Sequence, residues 1–517
     1  MYQKLFKPSL VGGATILITV SSLLSYLLGL ARDRIIAVHF GTTSMTDAYN
    51  ASFLIPDFIF NLFIAGALSA AFLPVFSQYL TKNKEEAYEI ANTMLTSAFL
   101  AISVLAVIAI IFMGDMVPFL FSGAAEGMQK DITNMTRLML VGSLFFSVSN
   151  TLGNILMGYK HFVSYAISPV LYNLGIILGV IFLQEKFGIY SASIGVLIGS
   201  VFHCLIRVID IFSTEYKFKP RLAFTHPGFI KIIKLMIPKS ISLIAWQLNM
   251  YVFAIVGIRL IEGGLAAFNF ARNIQSFAVS LFGIAFSTAV FPYLTSSISE
   301  GNKEKYTYNV QKTIQRILFF TIPAAVGIGL LAKPIIEIIL GGGAFNENSV
   351  NLTATILFFF AISIPFESLS HILSRSFYAF QNTITPTIIN ILSMGIIASF
   401  TFFVAPIYGI KWFSIGFSTG FIFYVVVTVI FLKKHLQGFN LKEFLISLSK
   451  TILSSGIMAM TILLSSEMLN FSQNKLNSIL NILIGAIAFF AVALLLKSKE
   501  IMEIKTKLFN KRTSANQ

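Results

Sequence analysis

The chain has 517 residues, of which 56% are hydrophobic and only 11% charged, with a mean hydropathy of +0.81. Soluble globular proteins carry about a quarter charged residues, so this composition excludes a soluble enzyme or binding domain and points to an all-α polytopic membrane protein. The net charge of +15 does not call for nucleic acid as a partner, because the basic residues are spread over short connections with no soluble domain to present them.

A hydrocarbon core roughly 30 Å thick requires about 20 apolar residues per helix. Fourteen stretches meet that demand: 10–31, 46–79, 88–113, 134–157, 164–184, 189–212, 236–258, 268–298, 315–332, 351–376, 384–405, 412–432, 444–466 and 477–496. Lys4 and Lys7 ahead of the first run imitate a secretory signal. The run is longer than a signal core and no small-residue cleavage site follows it, so it is read as the first helix. Pro238 and Lys239 in the seventh stretch, ahead of Trp246, Gln247 and Asn249, predict a helix able to bend. The lone Cys204 excludes an intramolecular disulfide, and six scattered histidines show no metal-ligand spacing, so neither a metal nor another cofactor is expected.

Basic residues set the orientation. With the N-terminus cytoplasmic, 25 lysines and arginines fall on inside segments, among them Lys217, Lys219, Arg221, Lys231, Lys234 and Lys239 of one loop, against nine outside. This is the bias of a multi-pass protein with both termini in the cytoplasm.

The chain is also duplicated. Ser69, Ala71, Pro74 and Tyr88 recur as Ser287, Ala289, Pro292 and Tyr306 at an offset of 218, and Pro169 and Asn173 recur as Pro386 and Asn390 at an offset of 217. An apolar chain with internal symmetry reads as a transporter of two lobes. Two repeats of six helices keep the same orientation: an N-lobe over 1–212, a C-lobe over 213–435, and an addition over 436–517 with helices 13, 14 and a basic tail.

Polar residues inside spans are functional candidates. Arg32 and Asp33 stand at the outer end of the first helix, and either bind substrate or pair with each other. Asp47 opens the second helix and could equally cap it. Asp57 and Asn61 share a face of that helix, with a hydrogen bond to backbone freed by Pro56 as the alternative for Asp57. Glu367, His371 and Arg375 form a stripe on the tenth helix, matched by Asn150 and Asn154 in the other repeat. The stripe suits proton or cation coupling, or an intrahelical ion-pair ladder. His203, Arg207 and Asp210 approach the inner surface and are expected to form a solvated face.

Gly29, Arg32, Asp33, Phe40, Gly41, Asp47, Ala48, Pro56, Gly66, Ala67, Ala71, Phe72 and Pro74 make this stretch resemble the signature of the MurJ/MviN lipid II flippases, within the multidrug/oligosaccharidyl-lipid/polysaccharide exporter superfamily. The segment Gly341 to Phe345, GGGAF, is similar to the loop after the ninth helix in that family. The resemblance implies two six-helix lobes working by alternating access in the bacterial plasma (inner) membrane. The substrate it implies is an undecaprenyl-pyrophosphate-linked precursor, with helices 13 and 14 grooved for its tail and cell-wall synthesis proteins as candidate partners. It implies a transporter rather than an enzyme, with Arg32, Asp33, Asp47, Asn61, Arg272 and Asn273 toward substrate. Asp57, Glu367 and His371 are the coupling candidates, toward the membrane potential, H+ or Na+. Guanidinium groups suit a pyrophosphate, since they bind phosphate oxygens through paired N–H bonds. Tyr26, Phe60, Asn61 and Ala65 stand where well-known members of the family carry charge. That departure keeps a second class open, an exporter of another lipid-linked glycan or a small cation. A membrane enzyme acting on the lipid carrier is a third, opposed by the absence of a catalytic cluster in the sequence.

Overall fold

The computed structural model describes residues 11–63, 67–468 and 475–503. Ala65 and Gly66 lie outside the described residues, as do the side chains of Pro238 and Lys239. Helices α1 to α9 run Val11–Phe40, Ser44–Ala51, Leu54–Phe63, Ala67–Lys82, Lys84–Leu120, Glu126–Gly158, Val163–Phe187, Tyr190–Ile211 and Pro227–Leu260. Helices α10 (Gly264–Ala278) and α11 (Ala285–Ser299) are joined by a π turn, Val279–Ile284. Next come α12 (Lys303–Leu330), α13 (Ala332–Ile339), α14 (Glu347–Ala361) and α15 (Ser363–Ala379). A second π turn, Phe400–Val404, joins α16 (Ile384–Ser399) to α17 (Ala405–Tyr408), followed by α18 (Lys411–Leu432), α19 (Leu441–Met468) and α20 (Lys475–Leu495).

Among the described residues, eleven helices are long and apolar enough to cross a membrane, and the pair α14–α15, bent by 46°, makes a twelfth. The 30 residues of α1, about 45 Å at 1.5 Å per residue, and the interrupted run α2–α4 occupy the other two predicted spans. The protein is a multi-pass, all-α membrane protein.

Four spans expected to be continuous are interrupted. The second stops at Ala51, where Ser52 turns its hydroxyl back onto the carbonyl of Ala48 at 2.7 Å. It restarts with Pro56 in the first turn of α3, where the missing N–H has no partner to lose. The eighth carries the first π turn and the eleventh the second. The tenth bends at Ile362, between α14 and α15. Such breaks in apolar helices are a feature of transport sites.

The chain packs as two compact units, Met1–Ala266 with Gly342–Phe345, and Ala267–Gly341 with Asn346–Gln517. In unit one, α7 and α8 meet through glycines. A Cβ on Gly175 would stand 2.3 Å from the Cα of Gly199, so only small residues allow this approach. Helix α9 joins the unit through α3 and α4. In unit two, α19 and α20 pack on α12 through Phe319, Met458, Ile462 and Phe489. Glu443 fastens their ends, accepting from Lys312 at 2.8 Å and from Lys499 at 2.9 Å, and this pairing raises the pKa of the Lys499 ammonium.

The duplication reappears as matched local structure. Pro74 lies inside α4 and Pro292 inside α11. Asn83 and Asn302 cap the helices that follow, α5 and α12. Each repeated tyrosine anchors the long helix it stands on: Tyr159 donates to the Tyr88 hydroxyl at 2.9 Å, and Tyr306 donates to the carbonyl of Ser376 at 3.0 Å.

Candidate functional site

In unit one, Arg32 and Asp33 are drawn into a polar knot that ties α1 to α7. The Arg32 guanidinium donates Nε and Nη2 to Asp33 Oδ1 at 3.1 and 2.8 Å, and Nη1 to Asn173 Oδ1 at 3.1 Å. Asn173, one of the repeated asparagines, returns its amide to the backbone and hydroxyl oxygens of Ser25, both at 3.3 Å. The side chain of Arg32 keeps 23% of its surface exposed against 8% for Asp33, so the cation is the accessible partner. Tyr49 and Tyr172 lie within electrostatic reach of it.

Asp47 is fully buried and does not cap its own helix; Thr43 does that. Its carboxylate instead accepts from the backbone N–H groups of Gly263 and Ala266, both at 2.8 Å, where the unit's last residues open α10. Glu262 accepts from Ser44 N–H at 3.1 Å, so the two segments exchange carboxylates across their helix N-termini, where backbone N–H groups are otherwise unpaired. The GGGAF segment seals the same corner. Ala344 donates to the carbonyl of Val38 at 2.8 Å, and Gly343, at φ +56°, has no room for a Cβ beside that oxygen.

Asp57 sits in the first turn of α3 rather than deep in a long helix, because of the break before Leu54. It is exposed, with Tyr172 and Tyr251 within electrostatic reach. Asn61, one turn on, is half-buried. Phe60 packs on Phe146 at 5.9 Å, and Phe146 in turn on Tyr172 at 5.1 Å.

In unit two, Arg272 and Asn273 are half-buried on α10. One turn on, Gln275 donates to Glu367 Oε2 at 2.7 Å and to Ser363 Oγ at 3.0 Å, and Arg272 lies within electrostatic reach of the same carboxylate. The cluster thus joins α10, just before its π turn, to the first turns of α15, just after the bend. The stripe on α15 is no ion-pair ladder. Arg375 turns away to donate to Thr288 Oγ1 at 2.7 Å and to the carbonyl of Ile284 at 3.3 Å, an oxygen at the end of the π turn. His371 is half-buried between Glu367 and Arg375 in sequence.

The trio on α8 is buried, not solvated: His203, Arg207 and Asp210 are 6%, 2% and 0% exposed. They face α6 and α7. His203 Nδ1 meets Ser149 Oγ at 2.8 Å, and Arg207 donates to the carbonyl of Ser149 at 2.9 Å. Asp210 accepts from His161 at 2.9 Å and from Ser164. Polar groups at the end of a span read as water-facing in a sequence, but here each finds its partners on the neighbouring helices. Asn173, Gln275 and Ser363 are the site residues that sequence reasoning missed. Only Asn173 left a signal, through its repeat partner Asn390.

The profile of the family described as "Lipid II flippase MurJ" matches residues 36–498. The chain belongs to the MurJ family. A similar relative is the probable lipid II flippase MurJ of Thermotoga maritima, 27% identical over 503 residues and covering 95% of this chain and 98% of that one. The lipid II flippase MurJ of Thermosipho africanus is 29% identical over 477 residues, covering 92% and 94%. Among solved structures, a lipid II flippase MurJ in an inward closed conformation aligns with a TM-score of 0.81 at 26% identity, over 94% of this chain and 100% of that one. An inward-facing MATE family multidrug transporter of the MOP superfamily, 16% identical with a TM-score of 0.68 over 82% of this chain and 98% of that one, shares the fold. Arg32, Asp33 and Asp47 are all engaged in hydrogen bonds, whereas Phe60 packs at a tilt on Phe146.

Proposed function

We propose that this chain translocates lipid II, the undecaprenyl-pyrophosphate-linked peptidoglycan precursor, across the bacterial plasma membrane by alternating access. The observation that carries this reading is the likeness to a MurJ structure over nearly the whole of both chains, joined to the placement of Arg32 as a part-exposed guanidinium braced by Asp33 and Asn173. A braced fork is preorganised for phosphate oxygens. Arg32 and Arg272 are the cations assigned to the pyrophosphate. Asp33, Asn61 and Asn273 are polar neighbours of the headgroup, and Asp47 orders the backbone at the outer ends of the helices. The isoprenoid tail suits the apolar hollow of about 260 Å3 that α12, α19 and α20 line with Phe320, Pro323, Met458, Gly485 and Phe489. Both termini are cytoplasmic on this reading, by the charge count.

Coupling is assigned to Glu367 on α15. Its hydrogen-bond donor Gln275, itself shared with Ser363 Oγ, is neutral, and it stands beside a bend and a π turn. A carboxyl so placed, with Arg272 within electrostatic reach, can exchange that cation's influence for H+ or Na+. Asp57 and His371 are secondary candidates. A second reading, export of a different lipid-linked glycan, draws on Phe60, whose ring packs on Phe146 where charge is expected.

Complementation of a bacterium depleted of its own lipid II flippase, with lipid II accessibility at the outer leaflet as the readout, tests the proposal. Rescue supports it. Failure by a well-expressed, correctly inserted protein overturns it in favour of the second reading.

A further inference from the structure

Unit one carries an apolar hollow that the transport reading does not use. It has a volume of about 700 Å3 and lies between α5, α6 and α8 beneath the connection from α8 to α9, within the size range of ligand sites. Leu95, Phe99, Leu152, Val208, Phe212 and Phe218 make its walls. Several are open to the surroundings: Phe99 is 40% exposed, Phe212 81% and Phe218 50%. Thr96 is the one hydroxyl-bearing aliphatic residue of the lining, and its Oγ1 has no hydrogen-bond partner.

The roof is a fixed strap. Buried Asn92 accepts from the Tyr216 hydroxyl at 2.7 Å and from Lys219 N–H at 3.0 Å, and Thr93 accepts from Ala223 N–H at 3.1 Å. These bonds lay residues 216–223 along α5, so the hollow is built into the fold rather than left by a loose loop. The strap also sorts its charges. Arg221 is neutralised by Glu89 at 2.9 Å, and Glu215 is taken by Lys84 at 2.5 Å. Lys217, which lines the mouth, and Lys219 are both exposed, and among the described residues neither pairs with a carboxylate.

We infer that this hollow holds an anionic glycerophospholipid, acyl chains against α5, α6 and α8 and phosphate at Lys217 and Lys219. An apolar slot alone would accept any lipid. Two uncompensated ammonium groups at one end of it select a negatively charged headgroup, at about fivefold per cation. The strap belongs to the most basic connection in the chain, the one that the charge count assigns to the cytoplasm, so the lipid would come from the inner leaflet.

The test uses the purified full chain in detergent and native mass spectrometry, with dioleoylphosphatidylglycerol or dioleoylphosphatidylcholine added at equal concentration. The wild type should retain the phosphatidylglycerol about 25-fold better. Lys217→Ala should cut that preference about fivefold and Lys217→Ala with Lys219→Ala should remove it; both side chains are exposed, so folding is not at stake. A phosphatidylglycerol carrying a diazirine in its acyl chain should label peptides containing Leu95 to Leu100 and Val208 to Phe218. Equal retention of the two lipids, a preference that survives the double substitution, labelling confined to other helices, or displacement by an equal amount of undecaprenyl phosphate would each overturn the inference.

Discussion

Replacing Asp47 by Ala separates two roles that the sequence leaves entangled. The wild-type carboxylate is fully buried and satisfies two backbone donors, Gly263 and Ala266, at 2.8 Å each. Removing it orphans both N–H groups away from water. At about 1–3 kcal/mol per unsatisfied buried donor, the cost is about 2–6 kcal/mol, plus the lost interaction with a helix N-terminus. Asp47→Asn keeps one acceptor oxygen and turns an NH2 toward the other donor, so it should cost about half as much. Thermal unfolding of the purified variants in detergent measures both, alongside complementation. The expected order is wild type, Asp47→Asn, Asp47→Ala, with transport falling in step with stability. An Asp47→Ala protein that melts like the wild type yet fails to support growth would refute the capping argument and return this carboxylate to direct contact with substrate.

Arg32→Lys keeps the charge but cannot serve Asp33 and Asn173 at once; loss of the Asn173 bond should cost about 1.5–3 kcal/mol in unfolding experiments and reduce lipid II exposure at the outer leaflet. Gly175→Ala should destabilise unit one by about 1–3 kcal/mol, since its Cβ meets the backbone of Gly199 at 2.3 Å, while the same change at Gly29, where nothing lies within 4 Å, should leave the melting curve in place. Glu367→Gln should abolish the dependence of transport on pH or on Na+ while the protein still folds, because Gln275 can donate to an amide oxygen as it does to the carboxylate; an unchanged ion profile would remove Glu367 from the coupling role.

The helix count and the duplication were legible because both are written in one dimension: apolar runs of fixed length, and Pro74, Tyr88, Pro292 and Tyr306 at one offset. The breaks were not. The stretches 46–79 and 351–376 each read as one span, and what ends the helices inside them is a hydroxyl turned onto its own backbone or a 46° bend at Ile362. Candidate site residues were found where they are charged and missed where they are neutral. Arg32 and Glu367 stand out in an apolar span, whereas Asn173 and Gln275, which hold them, look like ordinary polar residues until the fold brings α7 to α1 and α15 to α10. The burial of Arg207 escaped for the same reason: its partner is a backbone carbonyl, that of Ser149, and a carbonyl has no letter in the sequence.

The two repeats place different chemistry at matched positions. Asn150 and Asn154 in α6 correspond to Glu367 and His371 in α15, and Arg207 in α8 corresponds to Tyr424 in α18. In unit one the amide of Asn150 faces the guanidinium of Arg207 at 3.4 Å, and a guanidinium cannot give up its proton in a protein. That charge is permanent and locked between helices. In unit two Tyr424 and Ser374 share a hydrogen bond at 2.7 Å, and the acid at the Asn150 position accepts from Gln275, on a helix followed by a π turn, with Arg272 within electrostatic reach. One copy therefore carries a fixed cation and the other an acid. On the proposed reading the duplication divides the work: unit one supplies a scaffold around Arg32, and the ion-driven step is assigned to unit two, at Glu367.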